Sequence, residues 1–161
     1  MSRRVLIVGG YGKAGLKTAE HLLRGGLVSE ISIAGRSGEH AAKAAARIAR
    51  SSAVRVVGHG LDTVHDDAAL HALSVHDIVI MNTEANLEGV AANVARLGKR
   101  LISIAAGRAC NSVFDTMASS ADATGALLVS ETGLAPGSHD GAGEGTCPLR
   151  RARRASDRAD P

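Results

Sequence analysis

The feature that most constrains this chain is a run of glycines set between an aliphatic segment and a helical pattern: Gly9-Gly10-Tyr11-Gly12-Lys13-Ala14-Gly15, directly after Val5-Leu6-Ile7-Val8. A continuous aliphatic run is what a strand buried on both faces of a parallel sheet requires. After the glycines, Leu16, Ala19, Leu22 and Leu23 share one helical face, while Lys13, Lys17, Glu20 and Arg24 lie elsewhere. Gly25-Gly26 ends that helix. The chain therefore opens with a strand, a tight turn and an amphipathic helix.

The same alternation continues. Ile31–Ala34 is a second strand. Ser37 is placed to cap a second helix, with Ala41, Ala45, Ile48 and Ala49 on its inner face. Val54–Val57 is a third strand, and a short helix at about 65–74 carries Ala69, Leu70 and Leu73. A fourth strand lies in Asp77–Met81. Leu87, Val90, Ala91, Val94 and Leu97 then mark a helix stopped by Gly98. Leu101–Ile104 is a fifth strand. Ser112 or Asn111 is expected to cap a helix bearing Phe114, Met117 and Ala121, before a sixth strand at Ala126–Val129.

Short strands joined by helices require right-handed parallel crossovers. The prediction is an α/β, doubly wound parallel sheet of about six strands, Rossmann-like, in the order 3-2-1-4-5-6. A flavodoxin-like order is the alternative, and the glycine turn argues against it. Residues 1–137 form the expected domain. From Ser138 the periodicity stops, and residues 138–161 are expected to be an unpacked tail.

A chain of 161 residues suggests a single domain. Tyr11 and Phe114 are its aromatic residues, so the core must be aliphatic and alanine-rich. The net charge is +3 and the pI about 9.2, but the charges are spread out. Binding to nucleic acid has the run Arg150, Arg151, Arg153, Arg154 as its sole support. Cys110 and Cys147 form no CxxC and no disulfide framework, which fits a reducing, cytoplasmic location. The apolar run near the start is too short for a signal peptide or a membrane span.

Gly10, Gly12 and Gly15 satisfy G-x-G-x-x-G, and Gly9, Gly12 and Gly15 the looser G-x-x-G-x-x-G. One glycine makes the tight turn. A second lets backbone N–H groups reach a pyrophosphate, and a third lets the helix pack close to the strand. The helix start then offers free donors and partial positive charge to the anion. Tyr11, Lys13 and Ala14 complete this dinucleotide-binding turn.

The end of the second strand reads Ala34-Gly35-Arg36-Ser37, with no acid for a ribose 2′-hydroxyl. Arg36 can fork onto a 2′-phosphate and Ser37 can add a hydroxyl, so NADP is expected over NAD. Glu39 falls in the first helical turn and is assigned to the helix dipole. Asp62 after the third strand, Asn82 and Thr83 after the fourth, and Ala105-Ala106-Gly107 after the fifth sit where ligands of such sheets bind. His65, His71 and His76 have no regular metal spacing, so no metal is expected. No catalytic Ser-His-Asp or Cys-His set can be assigned. Cys110, near a helix start, is read as an inert cysteine.

VLIVGGYGKAG, IAGRS, DIVIMNTEA and ETGLAPG together resemble the coenzyme domain of the saccharopine dehydrogenase-like reductases, a group that includes carboxynorspermidine dehydrogenases. The likeness runs over about residues 3–137. It implies an NAD(P)-dependent oxidoreductase lineage, with Gly9, Gly10, Gly12, Gly15 and Arg36 in coenzyme contacts. In that family Gly133-Leu134-Ala135-Pro136-Gly137 leads into a large substrate and dimer domain, which has no counterpart in the residues that follow here. A truncated or frame-shifted reading frame, and a chain catalytically incomplete alone, is the expectation. The alternative is a stand-alone NADP(H) sensor; a homo-oligomer is compatible with either. The short oxidoreductases that use Tyr-x-x-x-Lys do not fit, because Tyr11 stands in the glycine turn with Lys13.

Overall fold

The computed structural model describes residues 3–50, 52–63, 67–104 and 108–130. Strands and helices alternate along it: β1 (Arg4–Val8), α1 (Lys13–Gly25), β2 (Glu30–Gly35), α2 (Gly38–Ala49), β3 (Arg55–Gly60), α3 (Asp67–Val75), β4 (Ile78–Met81), α4 (Leu87–Arg96), β5 (Arg100–Ser103), α5 (Arg108–Thr124) and β6 (Leu127–Val129). The six strands form one sheet in the order β3-β2-β1-β4-β5-β6, and each neighbouring pair runs parallel. This is the doubly wound Rossmann-type order expected from the sequence.

Sidedness follows from the crossovers. Val5 and Ile7 of β1 and Ile31 and Ile33 of β2 pack with Ala19 of α1 and with Ala41, Ala45 and Ile48 of α2. On the opposite face Leu6, Val8, Val79, Met81 and Leu101 pack with residues of α3, α4 and α5. The small alanines let α2 lie close to its strands. A Cβ on Gly58 of β3 would run into the Ala41 backbone, so this approach also depends on a bare Cα.

Several boundaries differ from the expectation. β3 runs Arg55–Gly60 rather than Val54–Val57, because its pairing with β2 continues to Gly35↔Gly60. α5 begins at Arg108, so Asn111 and Ser112 lie within the helix and neither caps it. The Ser112 carbonyl accepts from the Thr116 hydroxyl at 2.8 Å, and the Asn111 side chain accepts from Ser130 Oγ at 3.3 Å. Leu70 is 39% exposed, whereas Ala69 and Leu73 are buried; on a nine-residue helix only one narrow stripe reaches the sheet. Ala105–Gly107 and the segment 131–161, with its expected tail and Gly133–Gly137 step, lie outside the described residues. Among the described residues, no helix is long and apolar enough to cross a membrane.

Candidate functional site

The glycine turn rises from the C-terminal end of β1. Gly9 and Gly10 both donate backbone N–H bonds to the Ala34 carbonyl, at 2.9 and 3.1 Å, which anchors the turn to β2. The Gly12 amide donates back to the Gly9 carbonyl at 3.2 Å. Gly12 is the N-cap of α1, and its carbonyl accepts the Leu16 amide at 2.9 Å. Lys13, Ala14 and Gly15 form the first turn of α1, whose N–H groups have no partner within the helix.

The four glycines have different physical causes. Gly9 has φ +73°, a conformation side chains rarely adopt. A Cβ on Gly10 would lie 2.7 Å from the Ile7 carbonyl oxygen and 2.9 Å from Ile33 Cγ2, and one on Gly15 would lie 2.5 Å from Gly10 Cα. Those two positions are fixed by packing. Gly12 is the least constrained of the four. Its φ is −72°, it is exposed, and its nearest obstruction is the Gly9 carbonyl oxygen at 3.3 Å. A side chain there would press on the Gly9 carbonyl, which would have to give by a few tenths of an ångström, and the bare Cα also leaves room above the start of α1.

That helix start is electrostatically open. α1 has no side-chain cap and no acidic residue in its first turn. The aligned peptide dipoles place roughly half a positive charge there. Lys13 and Ala14 are exposed beside it.

Tyr11 turns toward the end of β2. Its ring lies over Gly35, where a Cβ would collide with it, and it meets the His40 ring edge-on at 5.8 Å and 65°. Arg36 follows Gly35 and is exposed. Ser37 caps α2: its Oγ accepts from the His40 amide at 3.3 Å, leaving the hydroxyl hydrogen free to donate. Glu39 stands in the first turn of α2, the position the sequence reading gave it, and it also pairs with Lys43 at 2.6 Å.

Across the turn, β1 and β4 are neighbours whose connections leave toward opposite faces, which is the switch point where such sheets hold ligands. The Asn82 amide N–H donates to the Val8 carbonyl at 2.9 Å, setting this residue just beyond β4. A Cβ on Gly9 would come within 3.5 Å of Asn82 Cβ. Both polar atoms of the Asn82 side chain are shielded and lack a hydrogen-bond partner among the described residues. A buried amide without partners costs about 1–3 kcal/mol.

Thr83 is used locally: its hydroxyl accepts from the Ala85 amide at 3.2 Å. Asp62 lies half-buried two residues after β3. The structure thus gathers Gly9–Gly15, Arg36, Ser37 and Asn82 around the ends of β1, β2 and β4. The sequence reading missed Asn86. This residue adopts the left-handed conformation at φ 52°, and its side chain donates to the Thr63 carbonyl, linking the loop after β4 to the loop after β3. Gly89 makes room for it, since a Cβ there would lie 2.5 Å from Asn86 Oδ1. The available signal was an asparagine, tolerant of that conformation, just before a helical period.

No family model and no curated protein matches this chain. Solved structures do resemble it. A shikimate 5-dehydrogenase from Mycobacterium fortuitum superimposes with a TM-score of 0.54 at 17% identity, over 80% of this chain and 44% of that one. The ketoreductase PlmKR1 of phoslactomycin biosynthesis from Streptomyces sp. HK803 gives 0.61 at 19%, over 80% and 40%. The WlbA dehydrogenase from Chromobacterium violaceum, solved with NADH and UDP-GlcNAcA, gives 0.59 at 17%, over 80% and 34%. The chain spans less than half the length of each of these three. At such identities the likeness is one of architecture, and it places this chain among the Rossmann-type α/β folds that these dehydrogenases share.

Proposed function

We propose that this chain is the NADP(H)-binding domain of an oxidoreductase of the saccharopine dehydrogenase-like kind. The observation that carries the reading is Gly12, whose Cα is bare and exposed at an ordinary φ, with only the Gly9 carbonyl close to it. It stands above uncapped N–H donors, as a diphosphate requires. In this reading the amides of Lys13 and Ala14 hold the diphosphate. Gly9, Gly10 and Gly15 shape the turn, and Tyr11 closes its side toward β2. Arg36 and the Ser37 hydroxyl take the 2′-phosphate. Asn82 turns its amide to the ribose or nicotinamide side, with Thr83 and Asp62 lining the neighbouring loops.

When bound, the coenzyme supplies or accepts a hydride at its nicotinamide C4. The chain's own part is binding and orientation. The substrate is held by a second domain, which three observations favour: the family resemblance, the share of each solved neighbour left unspanned, and the lack of an assignable acid–base pair in the turn. The NADH-bound neighbour supports the coenzyme class, and the absence of an acid at the end of β2 supports the phosphorylated form.

Titration calorimetry with NADPH and NADH tests this directly. The expected result is saturable binding of both, with NADPH at least tenfold tighter, since one charge-assisted contact is worth about 1.5–3 kcal/mol. No binding of either dinucleotide would overturn the reading, and equal affinities would overturn the NADP preference.

A further inference from the structure

A second concavity lies on the outer side of the same face, between α1 and α2. It is an open groove of about 400 Å³, lined by Tyr11, Leu16, His40, Lys43, Ala44 and Arg47. A volume of this order lies within the range of small-molecule sites. His40, Lys43 and Arg47 fall three and seven residues apart along α2, so all three line one side of it on successive turns. Tyr11, Leu16 and Ala44 supply an apolar floor. No carboxylate lines the groove.

The charges there are available. Arg47 forms no ion pair among the described residues, and Lys43 is held only by Glu39, both side chains being more than 70% exposed. Exposed pairs of this kind contribute little and exchange readily. On α1, Glu20 feels the Arg47 charge but is engaged by Lys17 at 2.8 Å and Arg24 at 3.9 Å. The head of the groove is also built rather than incidental: a side chain at Gly35 would displace the Tyr11 ring that closes it.

We infer that this groove binds a small molecule with a flat apolar body and a phosphate monoester, the body resting on Tyr11, Leu16 and Ala44 and the phosphate held by Lys43 and Arg47. The groove borders the coenzyme turn, with Tyr11 at their common edge, and runs away from it along α2, where Arg47 stands about 10 Å from His40 at 1.5 Å per residue. The inference does not depend on the coenzyme reading.

The test is a titration of the full chain with 1-naphthyl phosphate, followed by amide nitrogen–proton correlation spectra. Saturable shifts are expected at Leu16 and across His40–Arg47, and they should persist with NADPH present in excess. 1-Naphthalenemethanol, which lacks the anion, should bind at least tenfold more weakly. The double variant Lys43→Glu, Arg47→Glu should also lose at least tenfold. The milder Arg47→Gln should lose severalfold and keeps the test open should the charge reversal impair folding. Displacement by NADPH, equal binding of the neutral alcohol, or an affinity unchanged in these variants would each overturn the inference.

Discussion

The starts of α1 and α2 stand side by side at the same end of the sheet and are finished in opposite ways. α2 is closed by its own side chains: Ser37 accepts from the His40 amide, and Glu39 lies in the first turn. α1 begins on a bare glycine, with neither a capping side chain nor an acid. A side-chain cap at such a position is worth about 1 kcal/mol, and an acid in the first turn about 0.3–1 kcal/mol. α1 forgoes both. The difference separates a terminus closed by its own side chains from one whose donors are left without a side-chain partner.

The largest expected effect comes from crowding the base of the open terminus. Gly15→Ala puts a methyl group 2.5 Å from Gly10 Cα, and overpacking of this kind costs about 1–3 kcal/mol. Urea denaturation should show the loss, and NADPH affinity should fall with it. The sharpest test is Gly12→Ser, which gives α1 the kind of cap that α2 has. Stability should change by no more than a few tenths of a kcal/mol, the advantage of serine over glycine at an N-cap being set against the 3.3 Å approach of the new Cβ to the Gly9 carbonyl, while NADPH binding weakens at least tenfold. A variant that gained stability and kept its affinity would erase the contrast between the two termini.

Arg36→Asp should weaken NADPH at least tenfold and leave NADH within about threefold, because a charge-assisted contact is exchanged for repulsion. Parallel losses for both dinucleotides in calorimetry would remove Arg36 from the 2′-phosphate. On the closed terminus, Ser37→Ala should cost about 1 kcal/mol of stability; an unchanged denaturation midpoint would mean that its cap carries no energy.

The smallest effect locates the pH response away from both termini. His76 is 4% exposed. Its Nδ1 donates to the Ala72 carbonyl at 2.6 Å and its Nε2 accepts from the Ser32 hydroxyl at 2.8 Å. Burial holds its pKa below the ordinary 6.5, against the opposing pull of the Ala72 carbonyl. Below pH 6.5 the unfolded chain takes up a proton that the native imidazole refuses, so stability is full above that pH and falls on acidification. Denaturation midpoints measured between pH 8 and pH 5 should fall in the parent protein and fall less steeply in His76→Gln. Equal slopes would place the response elsewhere.

The sheet was legible because its strands are short aliphatic runs separated by helical periods, and a one-residue shift in a buried strand would change little in that pattern. The start of α5 was not. Asn111 and Ser112 look like capping residues, yet both lie inside the helix, where the Asn111 side chain accepts from Ser130 and the Ser112 backbone carbonyl accepts from Thr116. Leu70 misled for a related reason, since a short helix buries only its nearest stripe. In the site, the glycine turn and the cap at Ser37 could be read from spacing. The seating of Tyr11 on Gly35 and the stranded amide of Asn82 beside Gly9 could not. Each depends on residues far apart in sequence that only the parallel pairing brings together.

The Tyr11 ring has one more consequence. The sequence holds a single tyrosine and no tryptophan, so its tyrosine emission, excited at wavelengths where Phe114 does not absorb, originates at one point, the side of the glycine turn. Fluorescence intensity and its polarisation therefore report on that point alone, without a label or a mutation. A nucleotide arriving beside it would be seen by the protein's own chromophore.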